Sequence, residues 1–164
     1  MTSAAATGYD GLSTRRVGEG ELRAFLRECF RIGEHEVFVG RADRVNEDLR
    51  DVPEGVVYAA FCTYDDVAGD FALVFDLGIT GSLARRVGRR EFAERFAARF
   101  DAHVLYGDTE PPGLWTLILA DGRRLRVSLE EPEDDDGAYV LREATAPVPG
   151  VPGVRVNEGL WRVR

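Results

Sequence analysis

The sequence lacks lysine altogether, and all 21 residues in the Lys-plus-Arg count are arginines. Glutamine is absent as well. Without lysine the chain cannot form a Schiff base with a carbonyl substrate or a pyridoxal cofactor, and it cannot place a P-loop or kinase lysine on a phosphate. The sequence therefore excludes these enzyme classes, and its composition is typical of a bacterial genome rich in G and C.

Cysteine is scarce, and long apolar runs are missing. Cys29 and Cys62 lie inside apolar segments, which predicts buried thiols. No apolar run approaches the roughly 18 residues of a transmembrane helix. The first residues, MTSAAATG, lack the basic flank and apolar core of a secretory signal. We therefore expect a cytoplasmic protein that does not bind membranes.

Acidic residues outnumber arginines by 29 to 21, which gives a formal net charge of −8. A surface of this sign repels phosphates, so we expect no nucleic-acid partner. The chain has 164 residues, 45% of them hydrophobic, which suits one domain that folds without a metal or cofactor. We expect a monomer or a weak homodimer.

Two segments have the periodicity of amphipathic helices, residues 19–33 and residues 89–100. Gly33 stands where a glycine could end the first helix in the left-handed conformation. The apolar stripe of the first helix consists of Leu22, Phe25, Leu26, Cys29 and Phe30.

Strand patterns, rich in β-branched and aromatic residues, occupy most of the remaining chain. They cover residues 35–42, 56–64, 70–79, 103–108, 115–119, 123–129 and 138–144. This order predicts an α+β fold, with a largely antiparallel sheet of about six to seven strands and two main helices packed on one face. The face of the sheet that the helices do not cover should be more exposed to solvent.

The chain divides by composition into three parts. Residues 1–16 are small and polar and predict a flexible N-terminal segment, whereas residues 17–145 predict a single α+β domain. Residues 146–164 contain a Pro/Gly spacer and a tail with Leu160 and Trp161. Removing residues 150–164 should leave a cooperative fold, unless the tail docks as an edge strand.

The segment LWTLILADGRRLRVSLEE predicts a hairpin. A two-residue Asp-Gly turn would divide its bulky residues between both faces. A three-residue loop, Ala120 to Gly122 with Gly122 left-handed, avoids this division. It places Trp115, Leu117, Leu119, Leu125 and Val127 on one face, and Thr116, Ile118, Arg124, Arg126 and Ser128 on an outer face.

Residues 130–136 hold six carboxylates in seven positions: Glu130, Glu131, Glu133, Asp134, Asp135 and Asp136. Aligning an EF-hand calcium loop on Gly137 puts Pro132 in the first ligand position, where it supplies no oxygen. We therefore expect no metal here. The run is either a solvated loop or a recognition element for a basic protein surface.

Other arrangements also fail to indicate catalysis or metal binding. Cys29, Cys62, His35 and His103 have no paired short spacing of the kind that binds zinc. A trio of Cys62, His103 and Asp76 has no nucleophile motif, and Ser82 lacks the second glycine of a nucleophile elbow.

Charge of the opposite sign collects in residues 85–99, which carry six arginines. These arginines form either an anion site or the solvated face of a helix balanced by Glu91 and Glu94.

The sequence favours a non-catalytic protein-binding module that uses its carboxylate run against a basic partner, in the manner of an immunity or antitoxin protein. The alternative is a small-ligand-binding protein or enzyme with a pocket between helices and sheet, around Asp76, Tyr58 and Tyr64. Asp76 is the odd polar residue in an apolar strand. A structural role through the tail is a third hypothesis.

Overall fold

A computed structural model describes residues 7–107, 113–134 and 137–160. Its α-helices, within these residues, are α1 (Glu19–Phe30), α2 (Val45–Asp48), α3 (Gly81–Arg86) and α4 (Arg89–Phe100). The strands of the first half are β1 (Thr7–Gly8), β2 (Gly11–Ser13), β3 (Val37–Arg41), β4 (Ala60–Asp66), β5 (Ala68–Gly69) and β6 (Leu73–Ile79). Those of the second half are β7 (Val104–Gly107), β8 (Leu114–Ile118), β9 (Arg124–Glu130), β10 (Ala138–Ala144) and β11 (Arg155–Val156).

The α+β class is confirmed, but the predicted sheet of six to seven largely antiparallel strands is wrong. The described strands form one mixed sheet of 11 strands in the order β11-β10-β9-β8-β7-β2-β6-β4-β3, with β1 beside β6 and β5 beside β10. Three pairs are parallel, namely β3 with β4, β10 with β11 and β5 with β10. The extra strands have two or three residues, too few to show a period in the sequence.

The sheet curls because β5 joins its two distant parts. β5 lies in the connection between β4 and β6, yet it pairs with β10 near the other end of the strand order. Gly69 makes this approach close, since a Cβ there would lie 2.2 Å from the carbonyl oxygen of Tyr139. Asp70 then accepts a hydrogen bond at Oδ2 from the amide of Leu141 (2.8 Å). The face away from α1 and α4 is thus closed over a second apolar core.

The first core lies between the sheet and the two long helices. Phe25 of α1 contacts Phe96 of α4 edge to face, with ring centroids 5.5 Å apart, and Phe75 of β6 stacks on Phe96 at 5.2 Å. The apolar stripes predicted for α1 and α4 are buried against these rings. Such pairs add about 1 kcal/mol each beyond their buried area, which fixes both helices on one face.

The end of α1 differs from the prediction at Gly33. The left-handed residue is Arg31 (φ 54°), while Gly33 is extended (φ −80°). Turning at Arg31 lets the amide of Ile32 bond the carbonyl of Arg27 (3.2 Å) and puts the Ile32 side chain into the core. Burial of Ile32 explains why the helix ends before the glycine.

Arginines of the 85–99 segment stabilise the end of α1. Arg86 donates to the carbonyl of Phe30 (3.2 Å), and Arg95 donates to the carbonyl of Cys29 (3.1 Å) and to Glu91 (2.6 Å). These carbonyls are among those that a helix leaves unsatisfied at its C-terminus. Both arginines therefore serve the fold.

The β8–β9 hairpin has the predicted three-residue loop. Gly122 is left-handed (φ 93°), the amide of Leu119 bonds the carbonyl of Arg123 (2.8 Å), and Leu117 pairs with Leu125. The five residues predicted to share a face all lie in or against the second core. The predicted wet outer face is wrong in part, because α4 covers it and leaves Ile118 0% and Thr116 3% exposed.

Short strands lie near both ends of the described part of the chain. Residues 7–13 are not a loose segment, since β2 pairs with β6 on one side and with β7 on the other. At the other end β11 pairs with β10, and Val148 is buried in the second core. The tail residue Trp161 lies outside the described residues.

Candidate functional site: a pocket beside two opposed carboxylates

Two aspartates face each other across the centre of the sheet. Gly8 pairs with Gly78, and Gly11 pairs with Phe75, so the register between them sets Asp10 opposite Asp76. Phe75 and its alternate neighbour Leu77 point to the helices. Asp76 and Asp10 therefore point to the opposite face, where both are exposed.

The pKa of Asp10 is raised to about 6. Partial burial of its carboxyl group is the first cause, followed by the hydrogen bond and the negative charge of Asp76. The positive charge of Arg89 and a hydrogen bond from the Leu77 backbone act in the other direction. Like charges directly opposite each other destabilise a sheet, so the pair is retained at a cost in stability.

A pocket of about 280 Å³ lies beside the pair, between β2, β7 and the curled end of the sheet. Its aliphatic wall consists of Leu12, Val74, Leu105 and Leu129. Trp115 and Tyr139 supply aromatic rings, and Asp10, Glu131 and Arg89 supply charge. Apolar walls with a few polar groups are typical of a binding pocket.

Gly107 explains how the indole of Trp115 reaches this position. The two residues pair across β7 and β8, and a Cβ on Gly107 would lie 2.9 Å from Cζ3 of the indole. The ring therefore lies over the bare backbone of β7. Any side chain at this position would push Trp115 out of the pocket wall.

Arg89 is held in place at the beginning of α4. Its Nη2 donates to the carbonyl of Gly8 (2.9 Å), and its guanidinium lies 5.6 Å from the ring centroid of Tyr9. Tyr9 is itself fixed by its hydroxyl, which donates to the carbonyl of Val87 (2.9 Å). These contacts occupy one side of Arg89 and leave the pocket with more carboxylates than cations.

The carboxylate run of the β9–β10 connection begins at the rim of this pocket. Glu131 lines it, and the pKa of Tyr139 is raised by burial and by the negative charge of Glu131. Glu130 forms an ion pair with Arg142, while Glu133 and Asp134 are exposed. Two members of the predicted partner-binding set, Asp135 and Asp136, lie outside the described residues.

The three residues proposed for a pocket between helices and sheet are not brought together. Tyr64 pairs with Phe75 and so lies on the helical face, where the Arg41 guanidinium is 5.7 Å from its ring centroid. Tyr58 packs against Phe38, with ring centroids 5.6 Å apart. Asp76 lies on the other face. The residue that sequence reasoning missed is Asp10, and the alternation of Asp10 with Leu12 is the signal that could have revealed it.

Cys62, His103 and Asp76 do not form a catalytic trio. Cys62 is 2% exposed in the helical core, and burial raises the pKa of its thiol to about 12. Nδ1 of His103 accepts a hydrogen bond from the amide of Ala120 (3.0 Å), so its Nε2 donates to the carbonyl of Pro149 (2.8 Å). His103 thus joins the hairpin loop to the C-terminal segment.

In the part of the chain that the structure describes, no three His, Cys, Asp or Glu side chains are grouped to hold a metal ion. No helix within the described ranges has the length and apolar character needed to cross a membrane. Comparisons with protein-family models, curated proteins and solved structures gave no significant match.

Proposed function

We propose that this chain is a non-catalytic protein-binding module that recognises a basic partner through one acidic face. The acidic face comprises Asp10, Asp76, Glu131, Glu133 and Asp134. The observation that carries the proposal is that Asp10 and Glu131 line the same pocket, although they are far apart in the sequence. At this pocket the aspartate pair lies next to the start of the carboxylate run.

Within the described residues, the carboxylates of the acidic face differ in their ion pairing from those of α4 and β4. On α4, Arg90 pairs with Glu94 (2.8 Å) and Arg95 pairs with Glu91 (2.6 Å). Arg41 lies between several aspartates on β4 and its neighbouring turn. By contrast, no side chain of the acidic face forms a salt bridge within the described ranges. Unmatched carboxylates on one face attract a cationic surface and speed its association.

Such a surface suits an immunity- or antitoxin-like protein, whose task is to cover the basic surface of a toxin. Binding of this kind needs no chemistry from the chain, which agrees with the engaged nitrogens of His103 and the buried thiol of Cys62. The resting repulsion between Asp10 and Asp76 also fits a binding role, because a bound cation would relieve it.

The test uses the full chain as immobilised bait for proteins of its source cells. The acidic-face variant is Glu131→Gln/Glu133→Gln/Asp134→Asn. The control variant, Glu34→Gln/Asp51→Asn/Glu54→Gln, removes the same charge from exposed positions around β3, at the opposite edge of the sheet. Wild type and control should retain a basic partner that the acidic-face variant loses.

Kinetics with the purified partner sharpen the test. The acidic-face variant should associate more slowly and depend less on salt than wild type, while the control should match wild type. Equal retention and equal association rates for all three proteins would refute the proposal.

A further inference from the structure

The geometry points to the pocket beside Asp10 as a site for the guanidinium group of an arginine side chain from the partner. This inference rests on the proposed function, because it names what a basic partner inserts at the centre of the acidic face. It also makes a claim about ligand chemistry that can be tested without the partner.

The size of the pocket limits the occupant. Pockets for drug-sized ligands measure about 300–1,000 Å³, and this one is about 280 Å³. It lies open on the surface beside exposed carboxylates. A single long side chain that enters from a partner fits this volume and this access.

The walls favour a cation carried on an apolar stem. Val74 and Leu129, which line the pocket and are partly exposed, offer aliphatic surface for the methylenes of such a stem. Trp115 and Tyr139 also line the pocket, and a planar guanidinium stacks on aromatic rings better than an ammonium does.

The charged groups around Asp10 also favour an arginine side chain. The titratable and charged groups around Asp10 are Asp76 on β6, Glu131 on the β9–β10 connection and Arg89 at the beginning of α4. Arg89 already contacts the carbonyl of Gly8 and the ring of Tyr9. Two carboxylates and one cation thus line the pocket, with Asp76 beside Asp10. A guanidinium, with its fork of donors, can bond neighbouring carboxylates together.

The experiment titrates ¹⁵N-labelled full chain with capped arginine, N-acetyl-arginine N-methylamide. Capped citrulline is the matched control, because it has nearly the same shape and no charge, and capped lysine tests the preference for guanidinium. The indole signal of Trp115 reports on the pocket, and Trp161→Phe assigns it, since the chain has two tryptophans.

Capped arginine should shift the Trp115 indole and the amides of Gly8 and Gly107 saturably, with a Kd on the order of 1 mM. Capped lysine should bind more weakly, and citrulline should cause no saturable shift. Asp10→Asn should weaken arginine binding at least about tenfold, the effect of one charge-assisted hydrogen bond.

Proton competition gives a second readout. With the pKa of Asp10 at about 6, the ionised fraction rises about tenfold between pH 5 and pH 7. Arginine affinity should rise about tenfold over this range in wild type and stay nearly flat in Asp10→Asn. Glu131→Gln should lower the affinity and keep the pH dependence.

The outcomes separate this inference from the proposed function. Equal shifts with arginine and citrulline, or shifts confined to residues outside the pocket, overturn the guanidinium site even if the bait retains a basic partner. Arginine binding in the pocket without any retained partner supports the guanidinium site. It contradicts the inference that a partner protein supplies the arginine. Retention of a partner by Asp10→Asn with unchanged affinity overturns the insertion of an arginine.

Discussion

Replacement of Gly69 by alanine tests the contact that closes the sheet. The φ of Gly69 is 101°, a conformation that strains any residue with a Cβ. An added Cβ would lie 2.2 Å from the carbonyl oxygen of Tyr139 and 2.8 Å from its amide nitrogen. Because both atoms belong to the backbone of β10, they cannot move aside unless β5 and β10 separate.

We expect Gly69→Ala to lower the free energy of unfolding by about 3 kcal/mol. The positive φ accounts for about 1 kcal/mol of this loss. Separation of the strands removes the hydrogen bond from the Asp70 amide to the Tyr139 carbonyl (2.8 Å) and the one from the Leu141 amide to Asp70 Oδ2 (2.8 Å). Each contributes about 1 kcal/mol. For a domain of this size the melting temperature should fall by roughly 6–12 °C.

Gly122→Ala is the matched control. Gly122 has a similar φ of 93°, but nothing lies within 4 Å of the position where its Cβ would be. Its replacement should therefore cost only about 1 kcal/mol, or roughly 2–4 °C. Urea denaturation followed by circular dichroism measures both variants against wild type. Equal losses for the two glycines would show that the contact between β5 and β10 does not hold the sheet closed.

Three further changes test other parts of the structure. The raised pKa of Asp10 means that its contribution to stability is present below about pH 4 and is lost as the pH rises through about 6. Asp76→Asn should therefore stabilise the protein more at pH 7 than at pH 4, as measured by urea denaturation. The same gain in stability at both pH values would contradict the pairing of the two aspartates. Deleting residues 150–164 removes β11 and partly buried valines. This deletion should lower the free energy of unfolding by about 3 kcal/mol and the melting temperature by roughly 6–12 °C. An unchanged melting temperature would mean that the segment does not dock on the sheet. Cys62, whose pKa is raised to about 12 by burial, should resist iodoacetamide at pH 8 in the native protein and react after unfolding, as mass spectrometry of its peptide would show.

Features that depend on local periodicity could be predicted from the sequence. Helix α4 spans Arg89–Phe100, the segment predicted from the apolar spacing that runs from Phe92 to Phe100. The three-residue β8–β9 loop could be preferred to a two-residue turn by counting faces, because it keeps Trp115 and Leu125 together. Both features depend only on residues that lie close together in the sequence.

Features that depend on contacts between distant residues could not be predicted in this way. The closure of the sheet brings Asp70 to Leu141, 71 positions away, through β5, a strand of two residues. No periodicity can appear in so short a strand. The same limit hid half of the candidate site: Asp76 stood out inside an apolar strand, whereas Asp10 lies between two very short strands in a segment of small residues.

The carboxylate pair also determines where the second core ends. Leu12 lies two residues after Asp10, and Val74 lies two residues before Asp76, so both are on the same face as the aspartates. They pair with each other beneath the curled part of the sheet. If the curl extended over Asp10 and Asp76, it would remove two neighbouring carboxylates from water, at a cost that apolar burial there could not offset. The closed core therefore gives way to an open pocket at this row. Asp10, one of the two residues that stop the core from growing, is also one of the two carboxylates that line the pocket.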